Sequence, residues 1–177
     1  LYGCSLIYGF SNSTNFIIIA QNISPINYGL TFGIVFILVG LAFKISAVPF
    51  HMWAPDVYEG SPTPVTFFFA VAPKIAALTV FIRFLYVPFV NMVDQWQSII
   101  VFLSIASMIF GAVAAIGQKN LKRLIAYSSI SHMGYALAGL ATNSNEGIQS
   151  SITYLSIYIV MNVGLFSCLF MLKRNDQ

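Results

Sequence analysis

Residues 65–80 read VTFFFAVAPKIAALTV, and residues 33–48 read GIVFILVGLAFKISAV. Both are apolar runs of the kind that crosses a lipid bilayer, yet each contains one lysine, Lys74 in the first and Lys44 in the second. A charge near the centre of a membrane span costs roughly 2.5–3.5 kcal/mol on insertion. Charged residues kept at that cost usually serve a function, so the two lysines are the first candidates for chemistry.

The composition of the whole chain agrees with a membrane protein. Hydrophobic residues make up 58% of the 177 residues and charged residues only 7%, whereas soluble domains have about 25% charged residues. Spanning segments of this kind form α-helices, because the bilayer offers no partners for backbone polar groups. The sequence therefore predicts an all-α membrane protein in contact with lipid. It has no basic stretch with interleaved aromatics, so no nucleic-acid partner is expected.

Five runs are long enough to span a bilayer, and together they form one membrane domain over residues 1–177. The predicted spans are residues 28–48, 62–86, 96–117, 124–141 and 148–172. Residues 1–10 are expected to be the tail of a sixth helix, and the polar residues 11–25 to form a loop. The fourth span is short and rich in serine and glycine.

The basic residues predict the orientation. Five of them fall in the loops on one side, here called the basic side: Lys119, Lys122, Arg123, Lys173 and Arg174. The opposite side has Arg83 near a helix end, with Asp94 and Glu146 in its loops. Because basic residues stay on the side from which a chain is inserted, the basic side should face the cytoplasm, or the matrix of a mitochondrion.

Lys44 lies shortly before Pro49. Proline disfavours helix at the preceding residue, so a break in the helix is predicted near Lys44. Broken helices expose carbonyl groups that stabilise cations and water at ion sites. The alternative is that Lys44 extends along the helix to the membrane surface.

Lys74 follows Pro73 and lies near the middle of its span, where neither surface is within easy reach. Lysines held away from water can act as proton acceptors and donors. The alternative is a structural lysine bonded to carbonyl groups freed by Pro73. Two histidines are further candidates for a proton relay, because the imidazole ring changes charge near neutral pH.

His132 lies mid-span among serines and a tyrosine, and a buried packing role is the alternative. His51 lies near the basic side and is a candidate for proton uptake there, or for capping the broken helix. The two histidines are too far apart in the chain to indicate a metal site, and none is predicted.

Two longer stretches resemble a known family. Residues 43–76 read FKISAVPFHMWAPDVYEGSPTPVTFFFAVAPKIA, and residues 117–140 read GQKNLKRLIAYSSISHMGYALAGL. Both resemble subunit 2 of respiratory complex I, NADH:ubiquinone oxidoreductase chain 2, and the resemblance covers nearly the whole chain. Related antiporter-like subunits usually read PLHxWLPxAHxxAP at the first stretch, without DVYEGSPTPV, so subunit 2 is favoured over them.

This resemblance implies helices six to eleven of an antiporter-like inverted-repeat fold. Lys44 then matches the lysine of the broken seventh helix, Lys74 the lysine of the eighth, and His132 a histidine of the tenth. It implies proton translocation as a subunit of NADH:ubiquinone reductase, with no redox chemistry and no cofactor in this chain. NADH, FMN, iron–sulfur clusters and ubiquinone would act elsewhere in the complex, and other membrane subunits would be partners.

Two residues of the family pattern fall outside the chain: a glutamate on the fifth helix and a lysine on the twelfth. The polar end KRNDQ is expected to be a true terminus, and hence the chain a split or fragmentary subunit. A separate chain would then supply the missing N-terminal helices and place a glutamate near Lys44. The expected location is the mitochondrial inner membrane, or alternatively a bacterial inner membrane. A cation/proton antiporter subunit and a structural remnant without pumping are the alternative functions.

Overall fold

The chain is almost entirely helical. The computed structural model describes residues 1–22 and 28–175, and within them it has eight α-helices and one short 3-10 helix. The α-helices are α1 (Tyr2–Ser11), α2 (Phe16–Asn22), α3 (Tyr28–Ile45), α4 (Trp53–Gly60), α5 (Thr63–Tyr86), α6 (Val93–Ile116), α7 (Leu121–Ala141) and α8 (Asn145–Asn175). The 3-10 helix, Val90–Met92, leads directly into α6. The predicted all-α membrane fold is confirmed.

Four helices in the described ranges are long and apolar enough to cross a membrane. They are α3, α5 and the segments Val90–Ile116 and Asn145–Met171. The span predicted over residues 124–141 differs from them: it corresponds to α7, which has 21 residues but is less apolar because of its serines, histidine and tyrosines. α7 packs on α6 and α8, so much of its polar surface contacts protein rather than lipid. Of the five predicted spans, four correspond to apolar helices, and the fifth corresponds to α7, a more polar helix that is shielded by α6 and α8.

The predicted break near Lys44 lies at the end of α3. The helix ends at Ile45, and Ser46 adopts a left-handed backbone conformation with φ of 63°. The amide of Ala47 then donates to the carbonyl of Ala42 at 2.9 Å, which is a common way of closing a helix C-terminus. Lys44 is therefore in the last turn of its helix rather than in mid-span.

No helix was predicted between the spans 28–48 and 62–86, but α4 occupies most of this segment. Asp56 and Glu59 lie on α4 itself, with Asp56 in its first turn. Arg123 near the start of α7 reaches both carboxylates, at 2.8 Å from Asp56 and 2.9 Å from Glu59. These two ion pairs connect α4 to α7 on the basic side.

The loop predicted over residues 11–25 is also partly helical. α2 forms after Asn15, whose side-chain oxygen accepts a hydrogen bond from the amide of Ile17 at 2.9 Å. This is the usual capping arrangement for a helix start. Residues 23–25 of the predicted loop lie outside the described residues. The helix predicted over residues 1–10 is confirmed as α1, which packs on α3.

Small residues let α6 and α7 approach closely. A Cβ atom on Gly111 would lie 2.7 Å from the amide nitrogen of Ser131, and one on Gly134 would lie 2.9 Å from the carbonyl oxygen of Ser104. The Ser104 hydroxyl donates to the carbonyl of Gly134 at 2.8 Å. Glycine and serine at such positions are typical of helix pairs in membranes. These close contacts hold α7 beside the candidate site.

Candidate functional site

Lys74 is buried at the centre of the helix bundle. It lies midway along α5 with 1% of its surface exposed. Its Nζ donates a hydrogen bond to the Ser129 hydroxyl on α7 at 2.7 Å, and that hydroxyl donates to the carbonyl of Ala126 at 2.7 Å. The only ion pairs among the described residues are those of Arg123, so no carboxylate within them compensates the ammonium group.

Two buried tyrosines surround the Lys74–Ser129 pair. The ring of Tyr58, on α4, has its centre 5.7 Å from the Lys74 Nζ, within the range of a cation–π interaction. Tyr158, on α8, donates its hydroxyl to the carbonyl of Ala70 at 3.1 Å. The buried Tyr58 hydroxyl makes no hydrogen bond within the described part of the chain. Helices α4, α5, α7 and α8 thus all contribute to the surroundings of the lysine.

His132 lies three residues after Ser129, on the same helix. Its Nδ1 is 2.6 Å from the hydroxyl of Tyr154 on α8, and its ring centre is 5.4 Å from that of Tyr158. α7 and α8 also approach closely near the end of α7, where a Cβ atom on Gly139 would lie 2.8 Å from the carbonyl oxygen of Gly147. These two glycines let α7 and α8 pack closely about two turns from His132.

A small cavity joins His132 to the lysine pair. It has a volume of about 40 Å³, and its wall includes Ser129, His132, Tyr158 and Asn162. One water molecule occupies about 30 Å³ in the liquid, so the cavity can hold one. The sequence-predicted residues Lys74 and His132 are therefore brought into one connected polar group.

Lys44 has different surroundings. Its side chain is exposed, and it lines an open, mostly apolar groove of about 750 Å³ between α3 and α5. The groove wall also contains Phe68, Pro73 and Ala76. Among the described residues no carboxylate lies within ion-pair distance of Lys44. The two lysines are thus on neighbouring helices, one enclosed and one facing open space.

His51 lies apart from this group, in the turn between α3 and α4. Its ring centre is 4.4 Å from that of Phe110 on α6, and within the described residues its buried Nδ1 has no hydrogen-bond partner. Burial lowers the pKa of His51 from its ordinary value, and the nearby backbone of Pro49 partly offsets the change. Nearby, the Ser107 hydroxyl accepts the amide of Val48 at 2.9 Å and joins this turn to α6.

The sequence reasoning missed four residues of the site: Tyr58, Tyr154, Tyr158 and Asn162. Three of them recur at intervals of four along α8. Residues four apart lie on the same face of a helix, so a polar face within an apolar span was the signal that could have found them. Tyr58 had no such signal, because it comes from the short helix α4, which lies between two predicted spans.

The helices and the buried lysine define a multi-pass helical membrane protein. The model of the NADH:quinone oxidoreductase/Mrp antiporter transmembrane family matches residues 1–177. The chain belongs to this family, as the resemblance of residues 43–76 and 117–140 predicted.

The curated relatives are bacterial proteins named NADH-quinone oxidoreductase subunit N. The one from Pelagibacter ubique is 81% identical over 176 residues, which cover 99% of this chain and 37% of the relative. The one from Parvibaculum lavamentivorans is 60% identical over 178 residues, with 99% and 37% covered. The chain thus spans a little over a third of the length of these relatives. Their names specify subunit N and not the expected subunit 2.

Solved structures show the same fold. A chain of respiratory complex I from Thermus thermophilus with bound aureothin is 34% identical, with a TM-score of 0.76; the match covers 95% of this chain and 35% of that one. A chain of the Mrp complex from Dietzia sp. is 26% identical, with a TM-score of 0.83 and coverage of 93% and 30%. The antiporter-like fold predicted from the sequence is confirmed.

Proposed function

We propose that this chain is the proton-translocating part of a complex I membrane subunit, and that Lys74 takes up and releases the transported proton. The observation that carries the proposal is a fully enclosed lysine whose hydrogen-bond partner is a hydroxyl rather than a carboxylate. The high identity to bacterial subunit N supports it. Because these relatives are named subunit N, we propose the subunit N type in place of the subunit 2 expected from the sequence.

The geometry suggests how the proton moves. Lys74 carries the proton as an ammonium group and becomes a neutral amine after releasing it. The Ser129 hydroxyl, at 2.7 Å, can accept that proton while passing its own into the adjoining cavity. His132 borders the same cavity and serves as the next acceptor, because an imidazole ring can bind a proton on one nitrogen and release one from the other. His51 would act at the basic side, where it lies in the turn after α3.

Lys44 would control this transfer electrostatically. Its open groove can accommodate a further helix, and an exposed ammonium in an apolar wall attracts a carboxylate. We propose that the helix in the groove carries the expected glutamate. A charge moving between that glutamate and Lys44 would change the stability of the ammonium form of Lys74. That a separate polypeptide supplies this helix stays a prediction. A crosslink formed from the cysteine of a Gly40→Cys variant in the groove wall would identify the chain that carries the helix.

The chain is proposed to work without a cofactor of its own. Electrons would pass from NADH through FMN and iron–sulfur clusters to ubiquinone in other subunits, and this chain would respond to that reaction. The relatives are bacterial, so we favour the bacterial inner membrane over the mitochondrial one. The basic side, where Lys119 and Arg123 lie, would then face the cytoplasm.

A cation/proton antiporter is the second candidate, favoured by the likeness to the Mrp complex chain. Sodium-dependent proton movement without NADH oxidation would identify it. A structural remnant without pumping is the third, and a carboxylate-free helix at Lys44 would favour it.

Replacing the buried lysine tests the proposal directly. In inverted membrane vesicles that contain the whole complex, Lys74→Ala should lower the proton uptake per NADH oxidised, while the assembled complex remains detectable on a native gel. Lys44→Ala should do the same. Lys119→Ala removes the same charge from an exposed loop and should leave the proton yield unchanged. A normal yield in assembled Lys74→Ala would refute the role of the lysine.

A further inference from the structure

Tyr58 has a buried hydroxyl beside Lys74 that forms no hydrogen bond within the described residues. Its side chain is fully enclosed and belongs to a buried apolar cluster in which α4, α5, α7 and α8 meet. A buried hydroxyl that stays unbonded is costly, and nearly all buried polar groups in proteins find a partner. The unbonded Tyr58 hydroxyl therefore needs a physical reason.

The helix that carries Tyr58 is held in place at several points. The Thr66 hydroxyl on α5 donates to the carbonyl of Tyr58 at 3.2 Å, and Arg123 on α7 pairs with the two carboxylates of α4. The ring centre of Tyr58 is 5.7 Å from the Lys74 Nζ, within the range of a cation–π interaction. These contacts keep the ring at the lysine.

The other hydroxyl hydrogens around Lys74 are already donated. Ser129 donates to a backbone carbonyl of α7 at 2.7 Å, and Tyr158 donates to one of α5 at 3.1 Å. Burial raises the pKa of Tyr58, and the nearby Ser129 hydroxyl partly offsets the change, so Tyr58 is a neutral phenol that can donate. Among the described residues of this group, Tyr58 alone has a hydroxyl hydrogen that is not committed.

The charge of Lys74 decides whether that hydrogen can be used. The ammonium group donates to the Ser129 oxygen at 2.7 Å, and a second donor aimed at the same oxygen would bring its positive end toward the cation. After a proton is released, the Ser129 hydroxyl can donate to the amine, and its oxygen then has both acceptor positions free. A bond from Tyr58 to that oxygen would strengthen the bond to the amine, because hydrogen bonds in a chain polarise one another.

We infer that Tyr58 is a positioning residue whose hydroxyl donates to Ser129 when Lys74 is a neutral amine and leaves that bond open when Lys74 is charged. The inference rests on the proposed function and adds a residue that favours release of the proton from the enclosed lysine. Tyr58 itself gives up no proton: its hydrogen stays on the phenol oxygen, and only the hydrogen bond changes. Lys74 loses one proton to the proposed route, and Ser129 ends the step with one hydroxyl hydrogen.

Other titratable groups near Lys74 come from the helices packed on α5 and from α5 itself. They are His132 on α7, Tyr158 on α8, Lys44 on α3 and Arg83 in the last turn of α5. The charge of His132 interacts with that of Lys74, and the carboxylates of α4 are paired with Arg123. All of these groups stay the same in a variant that removes one hydroxyl, so a shift in its pH profile reports that hydroxyl.

Tyr58→Phe tests the inference, because it keeps the ring beside Lys74 and removes only the hydroxyl. The proton yield per NADH oxidised would be measured at a series of pH values in inverted vesicles that contain the complete complex. Without the hydroxyl, the amine form loses support and proton release requires a more alkaline medium. The yield should therefore fall at neutral pH and recover at higher pH, with the profile shifted by about half to one pH unit.

Two comparisons sharpen this test. Tyr86→Phe is the matched control, because its hydroxyl also bonds between helices, donating to the carbonyl of Leu140 at 2.7 Å, about three turns along α5 from Lys74. It should keep the profile of the unchanged protein. Replacing Tyr58 by 3-fluorotyrosine makes the hydroxyl a stronger donor, because fluorine withdraws electrons from the ring. The profile should then shift in the opposite direction, toward lower pH.

The outcomes separate this inference from the proposed function. An unchanged profile in assembled Tyr58→Phe, or a loss of yield that is equal at every pH, would overturn the role of Tyr58. If Lys74→Ala loses the yield in that case, the proposed function stands. If Lys74→Ala retains the yield, the proposed function itself is wrong. Should Tyr58→Phe fail to assemble on a native gel, the 3-fluorotyrosine variant decides, and the absence of a shift toward lower pH overturns the inference.

Discussion

Ser129→Ala should disable Lys74 without touching the lysine itself. The change removes the hydroxyl that accepts the hydrogen bond from Nζ at 2.7 Å. Hydrogen bonds to charged groups contribute about 1.5–3 kcal/mol, and every 1.4 kcal/mol corresponds to about a factor of ten. We therefore expect proton transfer from Lys74 through this position to slow by roughly 10- to 100-fold.

The assay measures proton uptake into inverted vesicles through the quenching of an acridine dye. The uptake is divided by the amount of NADH oxidised over the same time. Ser131→Ala is the matched control on the same helix, because the Ser131 hydroxyl makes only a long contact of 3.5 Å to the carbonyl of Met108. Its proton yield should equal that of the unchanged protein. A full yield in assembled Ser129→Ala vesicles would show that Lys74 does not exchange protons through this hydroxyl.

Three further predictions concern the scaffold. Gly134→Ala should destabilise the complex by about 1–3 kcal/mol, because the new Cβ meets backbone of α6; thermal unfolding measures this, with Gly164→Ala, which meets no atom within 4 Å, as the neutral control. Arg123→Gln should cost no more than about 1 kcal/mol per ion pair, since both pairs are partly exposed; a larger loss in the same melting assay would contradict this. Burial lowers the pKa of His51, so below about pH 6.5 the unfolded chain binds more protons than the folded one, and stability falls on acidification. His51→Phe should reduce this loss of stability, as measured by melting curves recorded at a series of pH values.

The sequence was sufficient for the features that depend on local composition. Long apolar runs predict membrane helices because of the cost of exposing apolar surface, and Pro49 predicts the end of α3. The short helix α4 was missed because its contacts are not local. Arg123, which bonds to its carboxylates, is over sixty residues further along the chain. No local pattern in residues 53–60 reveals that contact.

The site was predictable only in part, because its bonds join distant segments. Lys74 stood out by the cost of burying a charge, whereas its partner Ser129 is 55 residues away and one of several serines on α7. His132 stood out by its chemistry, but its partner Tyr154 looked like one more aromatic residue in an apolar span. Tyr154, Tyr158 and Asn162 recur every four residues and so form a polar face. The average hydropathy of the segment hides this face, whereas the hydropathy of each helical face separately reveals it.

The structure separates two lysines that the sequence treats alike. Both are single charges in apolar runs with a proline within five residues, yet Lys74 is enclosed by four helices of this chain while Lys44 faces an open groove. An enclosed lysine already has its partners, so variants of Ser129 and His132 within this chain should change its behaviour. An exposed one depends on what fills the groove, so the partners of Lys44 should be residues outside the described helices. Changes near Lys74 therefore test the proposed proton transfer, and changes near Lys44 test the proposed electrostatic control of that transfer.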